Sequence, residues 1–211
     1  MKAPRLQLLF FMLVFGMAQG QHLDLGYGVT SSNFSYSSNT SPKPVFQAGN
    51  GQSVQLHYAD EWIRDLIDFQ IGLRLEQHQV LGNVVTTQLE YDMRFLGLYL
   101  GTETQIGEIL SRGYCASCSV FNATIRLGMT TSYMTRGTQQ TDNMFIDLSG
   151  KEEFDSFWVG PMLGLRLTVE TLPDIRMGVF YDYSYQQSLS KSSESLALIG
   201  HHTGLLIKFW L

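Results

Sequence analysis

The stretch 201-HHTGLLIKFWL-211 sets His201, Thr203, Leu205, Ile207, Phe209 and Leu211 on one side of an extended strand, with Lys208 on the other. A soluble domain usually lets its last residues fray into water. Here the chain runs out on an apolar face instead. Period-two alternation is the signature of a β-strand, so this stretch predicts a strand that closes a barrel within a membrane.

The same alternation recurs upstream at 22–36, 52–62, 68–80, 84–108, 120–135, 155–171 and 175–185. In 155–171, for example, Phe157, Val159, Leu163, Leu165, Leu167 and Val169 oppose Gly160, Gly164, Arg166 and Glu170. Helical spacing is matched only weakly, around Asp60 to Asp68, so the chain reads as all-β. In 84–108 the pattern slips by one residue, from Leu89, Tyr91, Met93 and Phe95 to Leu96, Leu98 and Leu100, which suggests a β-bulge. Keeping this segment as one strand gives eight, with both chain ends on the same side. The expected fold is an eight-stranded antiparallel up-and-down transmembrane β-barrel with a side-chain-filled interior. Parity makes Leu172-Pro173-Asp174 an inner turn and assigns 37–51 and 136–153 as outer loops.

Composition fits β-structure in a medium other than water: 20 Gly, 10 Tyr and 13 Phe with only 16% charged residues. The net charge of −5 leaves no basic stripe for phosphates and argues against a nucleic-acid partner. Lys2 and Arg5 precede an apolar run over 6–15, followed by Ala18 and Gly20, which predicts a secretory signal peptide at 1–20 and a mature barrel domain at 21–211. No stretch reaches the roughly 18 consecutive apolar residues of a membrane-spanning helix. Cys115 and Cys118 lack a thioredoxin-like setting and further zinc ligands, so the exported context favours a local disulfide between them.

The apolar faces are larger than an eight-stranded interior can hold, so they are expected to face lipid. The opposing face carries Arg74, Arg94, Arg126, Arg166, Arg176 and Lys208 balanced by Asp24, Glu76, Glu90, Asp92, Glu170 and Asp182, which reads as an interior ionic network. Tyr27, Phe34, Tyr36, Tyr133, Tyr181, Tyr183 and Tyr185 lie toward strand ends and suit aromatic girdles.

In these features the chain resembles the small outer-membrane β-barrels of Gram-negative bacteria, the OmpA-barrel, OmpX, OmpW and PorT-like group. The resemblance covers the mature chain as architecture. Its specific motif is the closing strand, where His202, Gly204, Ile207 and Phe209 match that group's assembly signal, with two residues following Phe209. It implies an outer-membrane location, contact with outer-membrane lipid and recognition by the barrel-assembly machinery. Some barrels of this kind hydrolyse lipid with serine, histidine and an acid. His201 and Thr203 provide half of such a set, and no acid follows, so no catalytic residue is assigned. His22, His57 and His78 form no recognisable metal spacing, and neither a metal nor a cofactor is expected. The function expected is a non-enzymatic structural or interaction barrel whose outer loops meet a surface or envelope protein. The alternatives are a lipid-modifying hydrolase, a small-solute channel, or a soluble exported lipocalin-like barrel.

Overall fold

A computed structural model describes residues 21–37, 45–63, 66–84, 87–107, 121–141, 144–149, 151, 154, 156–189 and 195–211. The expected signal peptide at 1–20 and the expected Cys115–Cys118 disulfide lie outside these residues. The described strands are β1 (His22–Ser37), β2 (Val45–Ile63), β3 (Ile67–Val84), β4 (Thr87–Gln105), β5 (Phe121–Thr141), β6 (Met144–Asp147), β7 (Phe157–Leu172), β8 (Ile175–Ser188) and β9 (Ser195–Trp210). All of them except β6 close into an eight-stranded antiparallel up-and-down barrel. The strand at the end of the sequence completes it: β9 pairs with β1 from His22↔Trp210 to Ser37↔Ser195, and with β8 on its other side. Closure leaves no unpaired edge, the condition a sheet must meet in hydrocarbon.

Barrel strands run from 14 residues in β8 to 21 in β5. About 9–11 residues suffice to cross a bilayer, so the barrel projects well beyond it. At the end that holds His22 and Trp210, β7 and β8 are joined by the two-residue turn Pro173-Asp174, with Asp174 at φ 64° in the left-handed region. Short turns mark the periplasmic end of such barrels, which makes the opposite end the outer one. There β2 already begins at Val45, which shortens the expected loop 37–51. The expected loop 136–153 likewise begins as a hairpin, β5 continuing to Thr141 and β6 folding back on it. Beyond β6, Ser149 N–H donates to Asp147 at 2.9 Å, and this bond holds the Asp147 carboxyl below the usual carboxylate range.

The expected bulge in β4 is absent. β4 pairs with β3 without a register shift from Ile67↔Thr104 to Val84↔Thr87. Along β4, Tyr91, Met93, Phe95, Tyr99 and Glu103 all point inward and are buried. What changes between Phe95 and Leu96 is the solvent. Leu96, Leu98 and Leu100 face outward into lipid, whereas higher up the apolar residues face inward and Glu90 and Arg94 face water. The bulge belongs to the partner strand: Arg94 pairs with Arg136 and Phe95 with Met134, leaving Thr135 as an extra residue in β5.

Around the barrel, Leu25, Val54, Leu73, Leu75, Leu98, Leu127, Leu163 and Leu205 form an outward apolar band. Such a face is the reverse of a soluble lipocalin-like barrel, whose apolar side chains point inward. Tyr27, Tyr133, Tyr181 and Tyr185 are exposed on the outer surface, as a girdle requires. Phe34 and Tyr36, expected there too, pack inside with the outer core. At the seam, Gly28 and Gly204 face each other across β1 and β9. A Cβ on Gly28 would sit 3.0 Å from Cζ of Phe180, and one on Gly204 2.8 Å from its Cε1. The Phe180 ring thus covers backbone that only glycine leaves open.

Candidate functional site

The barrel interior has two storeys. Within the membrane span it is ionic, with Arg74, Arg126, Arg166 and Lys208 buried alongside Asp24, Glu76, Glu103 and Asp182. Arg166 donates to Asp24 and, at 2.9 Å, to Glu103; Lys208 Nζ donates to the other Glu103 oxygen at 2.7 Å. Arg126 reaches Asp182 at 3.3 Å and Gln70 Oε1 at 2.9 Å, and its guanidinium lies 4.4 Å over the Tyr99 ring. His57 sits between Arg126 and Arg166, its ring nitrogens 3.2 and 3.1 Å from theirs. These groups come from all eight strands of the barrel, so only barrel closure brings them together. Charge-assisted bonds of this kind offset the cost of burying ions where water is excluded.

Of the residues expected in this network, Asp24, Arg74, Glu76, Arg126, Arg166, Asp182 and Lys208 lie in it. Glu90 and Arg94 instead lie on the outer surface above the apolar band, and Asp92 is half-buried there, accepting from Gln77 at 2.9 Å. They turn outward because β4 keeps one parity throughout. Glu170 and Arg176 are 4.0 Å apart at the periplasmic rim, where the Arg176 guanidinium lies 4.4 Å from the Trp210 ring. Glu103, missed in the sequence, is a hub that takes Lys208, Arg166 and Gln70. Continuing the inward series 97, 99, 101 in β4 reaches it, but Thr102 and Thr104 beside it blur the alternation.

Above this storey lies a layer of serine and histidine. Ser32 Oγ is 2.6 Å from His78 Nδ1, and His78 Nε2 is 3.3 Å from Glu76. Ser184 Oγ is 3.2 Å from His202 Nε2, whose Nδ1 is 3.7 Å from the other Glu76 oxygen. This is the described set nearest to a nucleophile, base and acid. All five residues are at most 4% exposed, however, and the outer storey covers them. That storey is an apolar plug of Phe34, Val80, Tyr91, Met93, Phe95, Met134, Leu148, Phe154, Trp158, Leu196 and Leu198. Phe95 joins the layers, its ring edge-on to both His78 and Trp158. A substrate would have to displace the plug to reach Ser32 or Ser184.

His201 faces outward, where its Nδ1 is 2.8 Å from the Tyr181 hydroxyl and its ring 5.3 Å from that of Tyr183. Thr203 pairs with Tyr181 and Val29. His22, Asp24 and Glu103 could offer three ligand atoms within 4.8 Å of one another, but Arg166 and Lys208 already occupy both carboxylates. Of the expected assembly signal, His202 points into the interior and Ile207 and Phe209 outward.

No protein-family model matches this chain, and no curated protein matches it. Solved structures do. The outer membrane protein OprG from Pseudomonas aeruginosa superposes with a TM-score of 0.53 at 13% identity, over 92% of this chain and 99% of that one. The chain thus has the fold of a small outer-membrane β-barrel. Neisserial surface protein A matches with a TM-score of 0.48 at 8% identity, over 92% of this barrel and 100% of its own chain. Ail, the attachment invasion locus protein of Yersinia pestis, matches at 0.43 and 11% identity, over 90% of this barrel and 100% of Ail. Its outward apolar band is the surface that a barrel of this fold presents to lipid.

Proposed function

We propose that this outer-membrane barrel is a non-enzymatic, non-conducting structural and interaction protein, working through its outer end on a surface or envelope protein. The observation that carries this reading is the interior, filled by ion pairs within the membrane and sealed above them by the aromatic plug. Small eight-stranded barrels filled in this way leave no aqueous path. Its acid–base groups are enclosed and the outward His201 meets aromatic neighbours, which does not favour lipid hydrolysis. On this reading the closing strand, with His202, Gly204, Ile207 and Phe209, also serves as the signal to the barrel-assembly machinery. Planar-bilayer recording of the purified, refolded protein tests the main claim. No unitary conductance is expected, and a stable open channel would overturn it.

A further inference from the structure

Arg94 and Arg136 stand directly opposite each other on β4 and β5, both exposed on the outer surface. Two like charges in register on neighbouring strands repel, an arrangement sheets avoid unless something bridges it. Local structure is spent on creating it. Below Thr135 the odd residues of β5 face outward; the bulge reverses this, so that Arg136 points out beside Arg94 instead of into the plug. Thr135 Oγ1 donates to the Arg94 carbonyl at 3.1 Å and pins the bulge. Among the described residues neither guanidinium forms an ion pair. Two of the described acids nearby are otherwise engaged: Asp92 accepts from Gln77, and Asp147, near enough to sense the charge of Arg136, accepts from Ser149.

The height of the pair is informative. One step below it, Leu75, Leu96 and Tyr133 pair across β3, β4 and β5 as the top of the apolar band, so the arginines sit at headgroup level. Above them on the same strands is a shallow groove of about 250 Å³ lined by Gln47, Asn83, Gln88, Glu90 and Gln140 with Leu81 and Leu89. Amide side chains offer a donor and an acceptor each, the complement of vicinal sugar hydroxyls. Paired guanidinium forks match phosphate oxygens.

We propose that this face binds a phosphorylated glycolipid of the outer leaflet: Arg94 and Arg136 clamp a headgroup phosphate, the amide groove takes the sugar, and acyl chains lie on Leu75, Leu96 and Tyr133. The inference does not depend on whether the barrel conducts.

The test uses the full mature barrel in phosphatidylethanolamine nanodiscs doped with lipopolysaccharide carrying a phosphorylated lipid A, with the same glycolipid after phosphatase treatment, or with phosphatidylglycerol. Native mass spectrometry of the released protein reads the bound lipid. The wild type should retain the phosphorylated glycolipid in preference to the other two. Arg94→Gln with Arg136→Gln removes both guanidinium forks and should reduce retention roughly tenfold or more, while the heat-modifiable gel shift shows that the barrel is still folded. If the double variant fails to fold, Arg94→Lys and Arg136→Lys separately keep the charge without the fork and should each weaken retention. Gln88→Ala with Gln140→Ala should weaken the glycolipid but leave phosphatidylglycerol unchanged. Equal retention by folded wild type and arginine variants, equal binding of the phosphatase-treated glycolipid, or displacement by millimolar inorganic phosphate would each overturn the proposal.

Discussion

The two storeys of the barrel interior follow opposite rules. In the membrane span the pleat turns Arg126, Arg166 and Glu103 inward and Leu98, Leu127 and Leu163 outward. Above it the same strands turn Met93, Phe95, Met134 and Trp158 inward and Glu90 and Arg94 outward. Each arrangement answers the medium outside. Lipid accepts apolar side chains, which leaves polar ones to satisfy each other within; water reverses the assignment, and the hydrophobic effect fills the outer interior. A strand can therefore keep one parity from end to end and still exchange its apolar side.

The strongest blow to this arrangement should fall on the ionic storey. Glu103→Leu strips Lys208 and Arg166 of a shared acceptor and leaves their charges buried, which should cost about 3–5 kcal/mol. Urea unfolding in lipid vesicles, followed by loss of the heat-modifiable band, would read it. A loss no larger than that of a surface substitution would mean that the network contributes little. In the apolar storey, Trp158→Ala removes a fully buried ring and should cost about 3 kcal/mol through transfer and cavity terms. The same variant in planar bilayers sharpens the contrast between storeys, since conductance should remain absent while the ionic layer stays intact.

Outside the barrel, equal exposure should have unequal consequences. Leu205 and Val45 are 68% and 63% exposed, but one faces lipid and the other water. Leu205→Arg should destabilise by about 2–3 kcal/mol as an arginine in the lipid-facing band, and Val45→Arg by less than about 0.5 kcal/mol. Similar values for the two would remove the distinction between membrane and water faces. The smallest effect is expected at the periplasmic turn. Asp174 holds φ 64°, so Asp174→Gly should stabilise by less than about 1 kcal/mol, seen as a slight rise in the urea midpoint.

Most of the barrel was legible because side chains report pleat parity directly: the strands around Leu163, Leu205 and Leu73, and the inward Arg126, Arg166 and Asp182, follow from alternation alone. Alternation misleads where the apolar residues of one strand do not share one side. In β4 a change of solvent imitates a bulge and makes Glu90, Asp92 and Arg94 read as inward, while Thr102 and Thr104 mask Glu103. Phe34 and Tyr36 were misplaced for the same reason. The true bulge at Thr135 leaves no mark in the sequence because the segment around it, Thr131-Ser132-Tyr133-Met134-Thr135-Arg136, is polar and apolar on both faces and shows no break in pattern.

By itself the sequence determined that the chain alternates with period two, that the stretch 201–211 carries an apolar face, and that charge lies opposite the leucines along the strands. These are local properties, written in each residue and its second neighbour. Tertiary structure decided which side of the pleat is inside at each height, and which distant residues meet there. Alternation is unchanged when the two faces are exchanged, so only barrel closure, strand register and the level of the membrane set Glu103 against Lys208, His78 against Ser32, and Arg94 beside Arg136.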